Sequence, residues 1–191
     1  MIYKHPLMHN NFSKSDFSDV KKLLNQTSPI LTQSKKVEEF EKKWSKWLGV
    51  RYSTFVSSGS SANYISISIL KVLNKNKYKN EIIVPTLTWI SDISSIILNG
   101  FKPIFVDINL ENLSMDIDQV LKKINKKTLG IFITHAQGFN GLNDKLLKAI
   151  NKHKLYLIED VCESHGATYK NKKLGSFGLM SNFSFYYAHH M

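Results

Sequence analysis

The chain has 191 residues and a net charge of +11, with 42% hydrophobic and 21% charged residues, which indicates a folded domain rather than a disordered segment. No apolar run reaches the roughly 18 residues that a membrane helix needs, and the N-terminus lacks the apolar core of a secretion signal. The single cysteine, Cys162, excludes an internal disulfide and favours a reducing, cytoplasmic location. Only Arg51 is an arginine, so the charge favours weak steering of anionic substrates over nucleic-acid binding.

The first part of the chain predicts two amphipathic helices. Ser13 lies three residues before Asp16, the spacing of a helix-capping pair, and apolar residues follow at helical intervals. A second run with helical spacing ends at Gly49. We expect residues 1–50 to form an N-terminal helical segment and residues 51–191 to form a larger domain.

The larger domain alternates short apolar runs with helical patterns. The predicted strands are Ser53–Val56, Ile82–Val84, Pro103–Val106, Gly130–Ile133, Leu155–Ile158 and Phe183–Tyr186. The predicted helices are Ser60–Leu73, Trp89–Asn99, Asp116–Ile124 and Asn143–Lys152. This alternation predicts an α/β fold whose mostly parallel sheet has helices on both faces. Ligands of such sheets bind at the carboxyl ends of the strands.

Two of these strand ends carry residues suited to a phosphorylated ring. The small-residue turn that contains Gly59, Ser60 and Ser61 opens a helix, and such a turn can cradle a phosphate or can simply be a capped turn. Asp160 ends a buried strand, where a carboxylate can hold a protonated ring nitrogen or can cap the next turn.

Two further residues leave the same kind of choice open. Trp89 follows a strand and could stack on a flat ligand or belong to the core. His135 follows another strand and could contact a ligand or be a structural histidine.

The C-terminal tail contains His189 and His190. Adjacent side chains diverge, so they make a poor metal pair, and we expect no metal site. One histidine is better suited to act as an acid or base. The sequence stops shortly after the apolar run that ends at Tyr187, so we expect the chain to be truncated.

Several short motifs occur in a consistent order along nearly the whole chain. They are Ile30-Leu31-Thr32-Gln33 with Val37 to Glu41, Ser58-Gly59-Ser60-Ser61-Ala62, Val84-Pro85 through Trp89, Phe105-Val106-Asp107-Ile108, Ile158-Glu159-Asp160 and Ser184-Phe185-Tyr186. Together they resemble the DegT/DnrJ/EryC1/StrS family of sugar aminotransferases. The resemblance implies the large domain of PLP fold type I (aspartate aminotransferase-like), with its C-terminal part missing, and a homodimer when the protein is full length.

The resemblance also implies roles for individual residues. Ser60, Ser61 and Ser184 would hold the phosphate of pyridoxal 5′-phosphate (PLP) or pyridoxamine 5′-phosphate (PMP) beside Gly59. Trp89 would stack on the ring and Asp160 would pair with its nitrogen. Glu163, also at this site, stands where most of the aminotransferases carry glutamine.

One position departs from the aminotransferases. The third residue after Ser-Phe-Tyr is the lysine that links PLP covalently, and here it is His189; no lysine follows Lys173. The exchange is similar to the branch of the family that dehydrates keto-deoxy sugars at C3 with PMP. There the histidine would remove and return a proton, with a nucleotide-linked 4-keto-6-deoxy sugar as substrate and glutamate as amino donor.

Three functions remain open at this point. The first is this PMP-dependent dehydratase of surface-polysaccharide or other deoxysugar biosynthesis. The second is a sugar aminotransferase of the same fold that has adapted to histidine. The third is a non-catalytic fragment that is inactive alone.

Overall fold

A computed structural model describes residues 12–186 and 189. The described chain forms two compact units, one within Met1–Phe55 and the other Val56–His189. None of the helices in these residues is both long enough and apolar enough to cross a membrane.

The first unit contains two helices with clear sequence signals. Helix α1 (Lys14–Leu24) begins after Ser13, whose hydroxyl accepts from the Asp16 N–H while the Asp16 carboxylate accepts from the Ser13 N–H. Helix α2 (Lys35–Leu48) ends at Gly49, whose φ of 82° is the left-handed conformation that glycine adopts without strain. Both predicted helices are confirmed.

The strand predicted at Ser53–Val56 is wrong, because this segment has no regular secondary structure and pairs with no described strand. The backbone of Phe55 forms hydrogen bonds with side chains instead. Its N–H donates to Glu41 Oε1 at 2.7 Å, and its carbonyl accepts from Gln33 Nε2 at 3.4 Å. A short apolar run does not by itself reveal whether a neighbouring strand is available for pairing.

The second unit is built on a five-stranded sheet. Its strands are β1 (Glu81–Pro85), β2 (Lys102–Val106), β3 (Thr128–Thr134), β4 (Tyr156–Asp160) and β7 (Met180–Asn182). Their order is β2-β1-β3-β4-β7, and every neighbouring pair is parallel. A small antiparallel hairpin, β5 (Thr168–Tyr169) with β6 (Lys172–Lys173), precedes β7.

Helices cover both faces of the sheet, as predicted. They are α3 (Gly59–Leu73), α4 (Ile90–Leu98), α5 (Ile117–Lys123) and α6 (Asp144–His153). Successive strand residues point to opposite faces, so Ile82 packs with α3 and α4 residues whereas Ile83 packs with α5 and α6 residues. The result is two buried apolar clusters with the sheet between them.

The final strand lies earlier in the chain than predicted. Strand β7 ends at Asn182, and the predicted Phe183–Tyr186 strand is wrong. Phe183 packs against the apolar cluster beside α5 and α6 after the chain has left the sheet, so its apolar character comes from side-chain packing and not from strand pairing. His190 lies outside the described residues.

Candidate active site

Four strands bring polar residues to one edge of the sheet. Because β1, β3, β4 and β7 are parallel, their carboxyl ends lie together. Residues at or just after these ends include Thr88, Thr134, Asp160 and Ser184. The sheet therefore gathers side chains that are far apart in sequence.

Asp160 is the last residue of β4 and is only 4% exposed. Its Oδ1 accepts from the Cys162 N–H at 2.9 Å, which is the turn-capping contact expected of an aspartate there. Its Oδ2 lies 3.5 Å from Asn63 Nδ2, at the limit of a hydrogen bond. One carboxylate oxygen is thus used in the turn, and the second lies near the Asn63 amide.

A buried polar network lies behind Asp160. Asn63 on α3 donates from Nδ2 to Asp92 Oδ1 at 2.5 Å and accepts from Asn182 Nδ2 at 2.9 Å. Asn182 accepts in turn from Ser66 Oγ at 2.7 Å. The network ties two helices to the ends of β4 and β7, and it fixes the surroundings of Asp160.

The start of α3 lies against the segment that follows β7. Ser58 caps this helix by accepting from the Ser61 N–H at 3.1 Å. A Cβ atom on Gly59 would lie 3.2 Å from Ser184 Cβ and 3.3 Å from Cys162 Sγ, so a larger residue would fit here only if these neighbours moved by a few tenths of an ångström. The first N–H groups of a helix have no partner within it and attract anions. The capped turn predicted as one alternative is present, and the phosphate cradle predicted as the other stays a prediction.

Two histidines lie near this edge. His189 Nδ1 is buried and, among the described residues, has no hydrogen-bond partner. His165 lies between the rings of Phe183 and Phe185, at centroid distances of 5.4 and 5.6 Å. Burial lowers the pKa of His165 to about 4, with a further lowering from the positive charge of His189 and a partial offset from Asp160. His165 is therefore neutral at neutral pH, and its charge interactions place it near both Asp160 and His189.

His135 is a structural histidine. It is 1% exposed, its Nδ1 accepts from the Gly141 N–H at 3.1 Å and its Nε2 lies 3.2 Å from Glu159 Oε2. Because Nδ1 accepts, Nε2 carries the proton and donates it to Glu159. This resolves the choice that the sequence left open for His135.

Glu159 accepts hydrogen bonds from the loop that precedes β7. It is fully buried and accepts from the N–H groups of Gly175, Phe177 and Gly178 at 2.7–2.9 Å. Burial alone would raise the pKa of Glu159, but the hydrogen bond from His135 and those from the loop outweigh it and lower the pKa. Sequence reasoning gave this residue no role.

The remaining predicted residues lie at the rim. Trp89 precedes α4 and is 62% exposed, which excludes the core position considered for it. Glu163 accepts from the backbone N–H and from Nε2 of Gln137, both at 3.3 Å. Ser60 is exposed in the first turn of α3, and Ser61 Oγ lies 2.8 Å from Ser57 Oγ.

Asn63, Asp92 and Asn182 were missed by sequence reasoning. Asn63 and Asp92 lie within helical patterns, where polar residues ordinarily face solvent. The one sequence feature that could have predicted their burial is the apolar composition of these two helices, because a helix that is apolar all round is buried on all its faces.

A flat, phosphorylated heterocycle suits this arrangement chemically. Asp160 is a buried carboxylate that could hold a protonated ring nitrogen, and the start of α3 with Ser184 could donate to a phosphate. Among the described residues the buried Nδ1 of His189 has no partner, and this nitrogen could hydrogen bond to a bound group.

Known proteins resemble this chain over its length. A GDP-4-keto-6-deoxy-D-mannose 3-dehydratase from Escherichia coli O55:H7 is 33% identical over the whole chain, which covers 49% of that relative. A GDP-perosamine synthase from Vibrio cholerae is 34% identical over 82% of the chain and 42% of the relative. The chain thus spans about half the length of these curated relatives.

Solved structures resemble it equally well. The E. coli GDP-4-keto-6-deoxy-D-mannose-3-dehydratase with bound hydrated PLP superposes with a TM-score of 0.91 at 31% identity, over 100% of this chain and 49% of that one. The same TM-score and identity hold for a histidine-to-asparagine variant of a GDP-4-keto-6-deoxymannose-3-dehydratase with bound GDP-perosamine, over 98% and 49% of the two chains. The α/β architecture with a parallel sheet is therefore that of PLP fold type I, as predicted. The DegT/DnrJ/EryC1/StrS aminotransferase family model matches residues 11–191, and the chain belongs to this family.

Proposed function

We propose that the full-length protein is a PMP-dependent dehydratase that removes the C3 hydroxyl of a nucleotide-linked 4-keto-6-deoxy sugar. The observation that carries this proposal is His189. It occupies the lysine position of the aminotransferases, and its Nδ1 is buried with no partner among the described residues. A histidine there can move a proton but cannot hold PLP covalently.

The residues of this chain would bind and orient the cofactor. The start of α3 and the Ser184 hydroxyl would hold the phosphate, with Gly59 allowing the close approach. Asp160 would keep a proton on the pyridine nitrogen, and Trp89, exposed beside the sheet edge, would cover one ring face. Glu163, Ser60 and Ser61 would complete the surroundings.

When bound, PMP supplies an amine that condenses with the 4-keto group and a ring that draws electrons from the reacting carbons. The imidazole of His189 would accept a proton from the cofactor's methylene carbon. It would then donate this proton to the C3 oxygen, which leaves as water. The amine nitrogen would leave with the deoxygenated sugar and be released from it as ammonia by hydrolysis, and glutamate would restore the amine for the next turnover. The names of these longer relatives refer to GDP-linked sugars, which favours a nucleotide sugar as the substrate.

The fold supports three further expectations for the full-length protein. Isoleucine, valine and leucine side chains are exposed along α3 and α4, which favours a second copy of the chain as a partner. A reducing, cytoplasmic location fits the lone, buried Cys162. The predicted division into residues 1–50 and 51–191 stays a proposal for how the protein is organised.

Product analysis tests the function. The full-length protein is incubated with PMP, glutamate and a GDP- or CDP-linked 4-keto-6-deoxy sugar, and the products are weighed by mass spectrometry. We expect a sugar that has lost one oxygen, and no such product from a His189→Asn variant. A sugar that has gained an amine would instead support the alternative, an aminotransferase like the GDP-perosamine synthases. No change in cofactor absorbance on mixing with protein would favour a non-catalytic chain.

A further inference from the structure

A second buried carboxyl group lies behind Asp160. Asp92 on α4 is 0% exposed, and both its oxygens are engaged by polar side chains. Its Oδ1 accepts from Asn63 Nδ2, the same nitrogen that reaches Asp160 Oδ2 at 3.5 Å. Two acidic side chains therefore share one amide donor in the interior of the protein.

The other oxygen of Asp92 lies in a triangle with two threonine hydroxyls. Thr134 Oγ1 is 3.1 Å from Asp92 Oδ2 and 2.6 Å from Thr88 Oγ1, and Thr88 Oγ1 also hydrogen bonds with Asp92 Oδ2. Three hydrogen bonds among three oxygens need three hydrogens, and two hydroxyls provide two. A proton on Asp92 would supply the third.

Within the described part of the chain the two carboxyls lack an ion-paired cation, and the nearby His165 is neutral at neutral pH because burial lowers its pKa to about 4. In residues 12–186 and 189, no lysine, arginine or histidine forms an ion pair with Asp92 or Asp160. Two buried carboxylates without a cation are very costly, so one of them is expected to take up a proton.

The proton belongs on Asp92 and not on Asp160. Asp160 accepts from the Cys162 N–H, a contact that favours its ionised form, whereas Asp92 is the more deeply buried of the two. Burial, followed by the charge of Asp160, raises the pKa of Asp92 well above its usual value, and the Thr88 and Thr134 hydrogen bonds offset only part of this rise. The remaining groups that face Asp92 are neutral: Asn63 and Ser91 by their chemistry, and Cys162 because burial raises its thiol pKa.

We propose that Asp92 is a positioning residue for Asp160: it is a neutral carboxylic acid that closes the network behind Asp160 and leaves Asp160 as the anion of this pair of buried carboxyls. The consequence for the cofactor rests on the proposed function. A single anion matches a single protonated ring nitrogen, while the Asn63–Asp92 pair keeps the Asp160 side chain from turning inward.

The protonation of Asp92 is tested without cofactor. Full-length protein labelled with ¹³C at the aspartate carboxyl groups is examined at neutral pH by isotope-edited infrared spectroscopy. We expect the carbonyl band of a protonated carboxylic acid in the wild type, its retention in Asp118→Asn, an exposed control, and its loss in Asp92→Asn. A wild type without this band, or a band that survives in Asp92→Asn, overturns the proposal.

The positioning role is tested with PLP added. Asp92→Asn keeps the shape and neutrality of the acid, so we expect its PLP affinity and the pH profile of its bound-cofactor absorbance to match those of the wild type. Asp92→Ala removes the contact, and we expect an affinity about tenfold weaker and a shifted profile. Identical behaviour of all three proteins overturns the positioning role. Failure of the wild type to bind PLP refutes the proposed function, while the infrared result still decides the state of Asp92.

Discussion

His189 is the residue on which the proposed chemistry depends most. The motif resemblance predicts that its imidazole stands where the aminotransferases of the family carry lysine, and its Nδ1 is buried without a partner among the described residues. A lysine amine would compete for the cofactor by forming a covalent bond, whereas an imidazole leaves the cofactor free to be released. The residue thus separates the two reactions that the same fold supports.

A His189→Lys substitution should restore covalent binding. We expect this variant of the full-length protein, mixed with PLP and reduced with borohydride, to gain the mass of one pyridoxyl phosphate at position 189. The wild type and His189→Asn serve as controls and should remain unmodified at this position. Peptide mapping by mass spectrometry gives the answer, and an unlabelled lysine variant that still binds PLP would contradict the assigned position.

A single residue could be predicted to lie at the site where it belongs to a recognisable short motif in the sequence. Gly59, Asp160 and Ser184 each lie within a short motif, and the structure places them at one sheet edge as expected. The Asn63–Asp92 contact joins residues 29 positions apart on two helices, so no local pattern could indicate it. The same holds for the bond between Asn182 and Asn63, 119 positions apart.

At the scale of elements, the loop that leads into β7 depends on Glu159. Three backbone N–H groups from Gly175, Phe177 and Gly178 end on its carboxylate, and His135 adds a fourth donor. The loop has little regular structure of its own, so this carboxylate supplies the contacts that a strand or helix would otherwise provide.

Replacing Glu159 with glutamine should loosen this loop. We expect the free energy of unfolding to fall by about 3 kcal/mol, because an amide cannot accept from every donor that the carboxylate satisfies. Urea titration measures the change, with the exposed Glu38→Gln on α2 as a control that should lie within about 0.5 kcal/mol of the wild type.

The effect of Glu159 should depend on pH in a defined direction. Its pKa is lowered in the folded protein, so the stabilisation is present above the ordinary value of 4.5 and is lost as the pH falls through the lower folded value. The difference in the free energy of unfolding between wild type and Glu159→Gln should therefore become smaller in acid. Equal free energies of unfolding for the two proteins at neutral pH would show that Glu159 does not anchor the loop.

Element types were predictable where periodicity was long. The six α-helices of the described residues follow apolar spacing in the sequence, and β1, β3 and β4 follow buried apolar runs. Two segments were wrongly predicted as strands, Ser53–Val56 and Phe183–Tyr186. Both are short apolar runs whose backbones pair with no described strand. Pairing depends on a neighbour that is distant in sequence, and periodicity contains no information about it.

At the scale of the whole molecule, the exposed apolar face of α3 and α4 predicts association. Val72 is 72% exposed, and Ile90 and Leu98 are each 70% exposed. Solvent-exposed aliphatic groups in such number favour burial against a partner. We expect the full-length protein to be a dimer.

A charge on this face should break the dimer. Val72→Glu is expected to give a monomer by size-exclusion chromatography with light scattering, because an interface cannot bury an unpaired carboxylate cheaply. Lys71→Glu, at the neighbouring exposed position on α3, is the matched control and should leave the mass at two chains. A Val72→Glu protein that stays dimeric would place the interface elsewhere.

The central claim, loss of the C3 hydroxyl in a site centred on Asp160 and His189, is most directly tested with an oxygen label. The substrate is a nucleotide-linked 4-keto-6-deoxy sugar that carries ¹⁸O only in its C3 hydroxyl, and the full-length protein is supplied with PMP and glutamate. Dehydration predicts a sugar product that has lost the label and contains no added nitrogen. A product that keeps ¹⁸O at C3 and gains an amine at C4 would contradict the account.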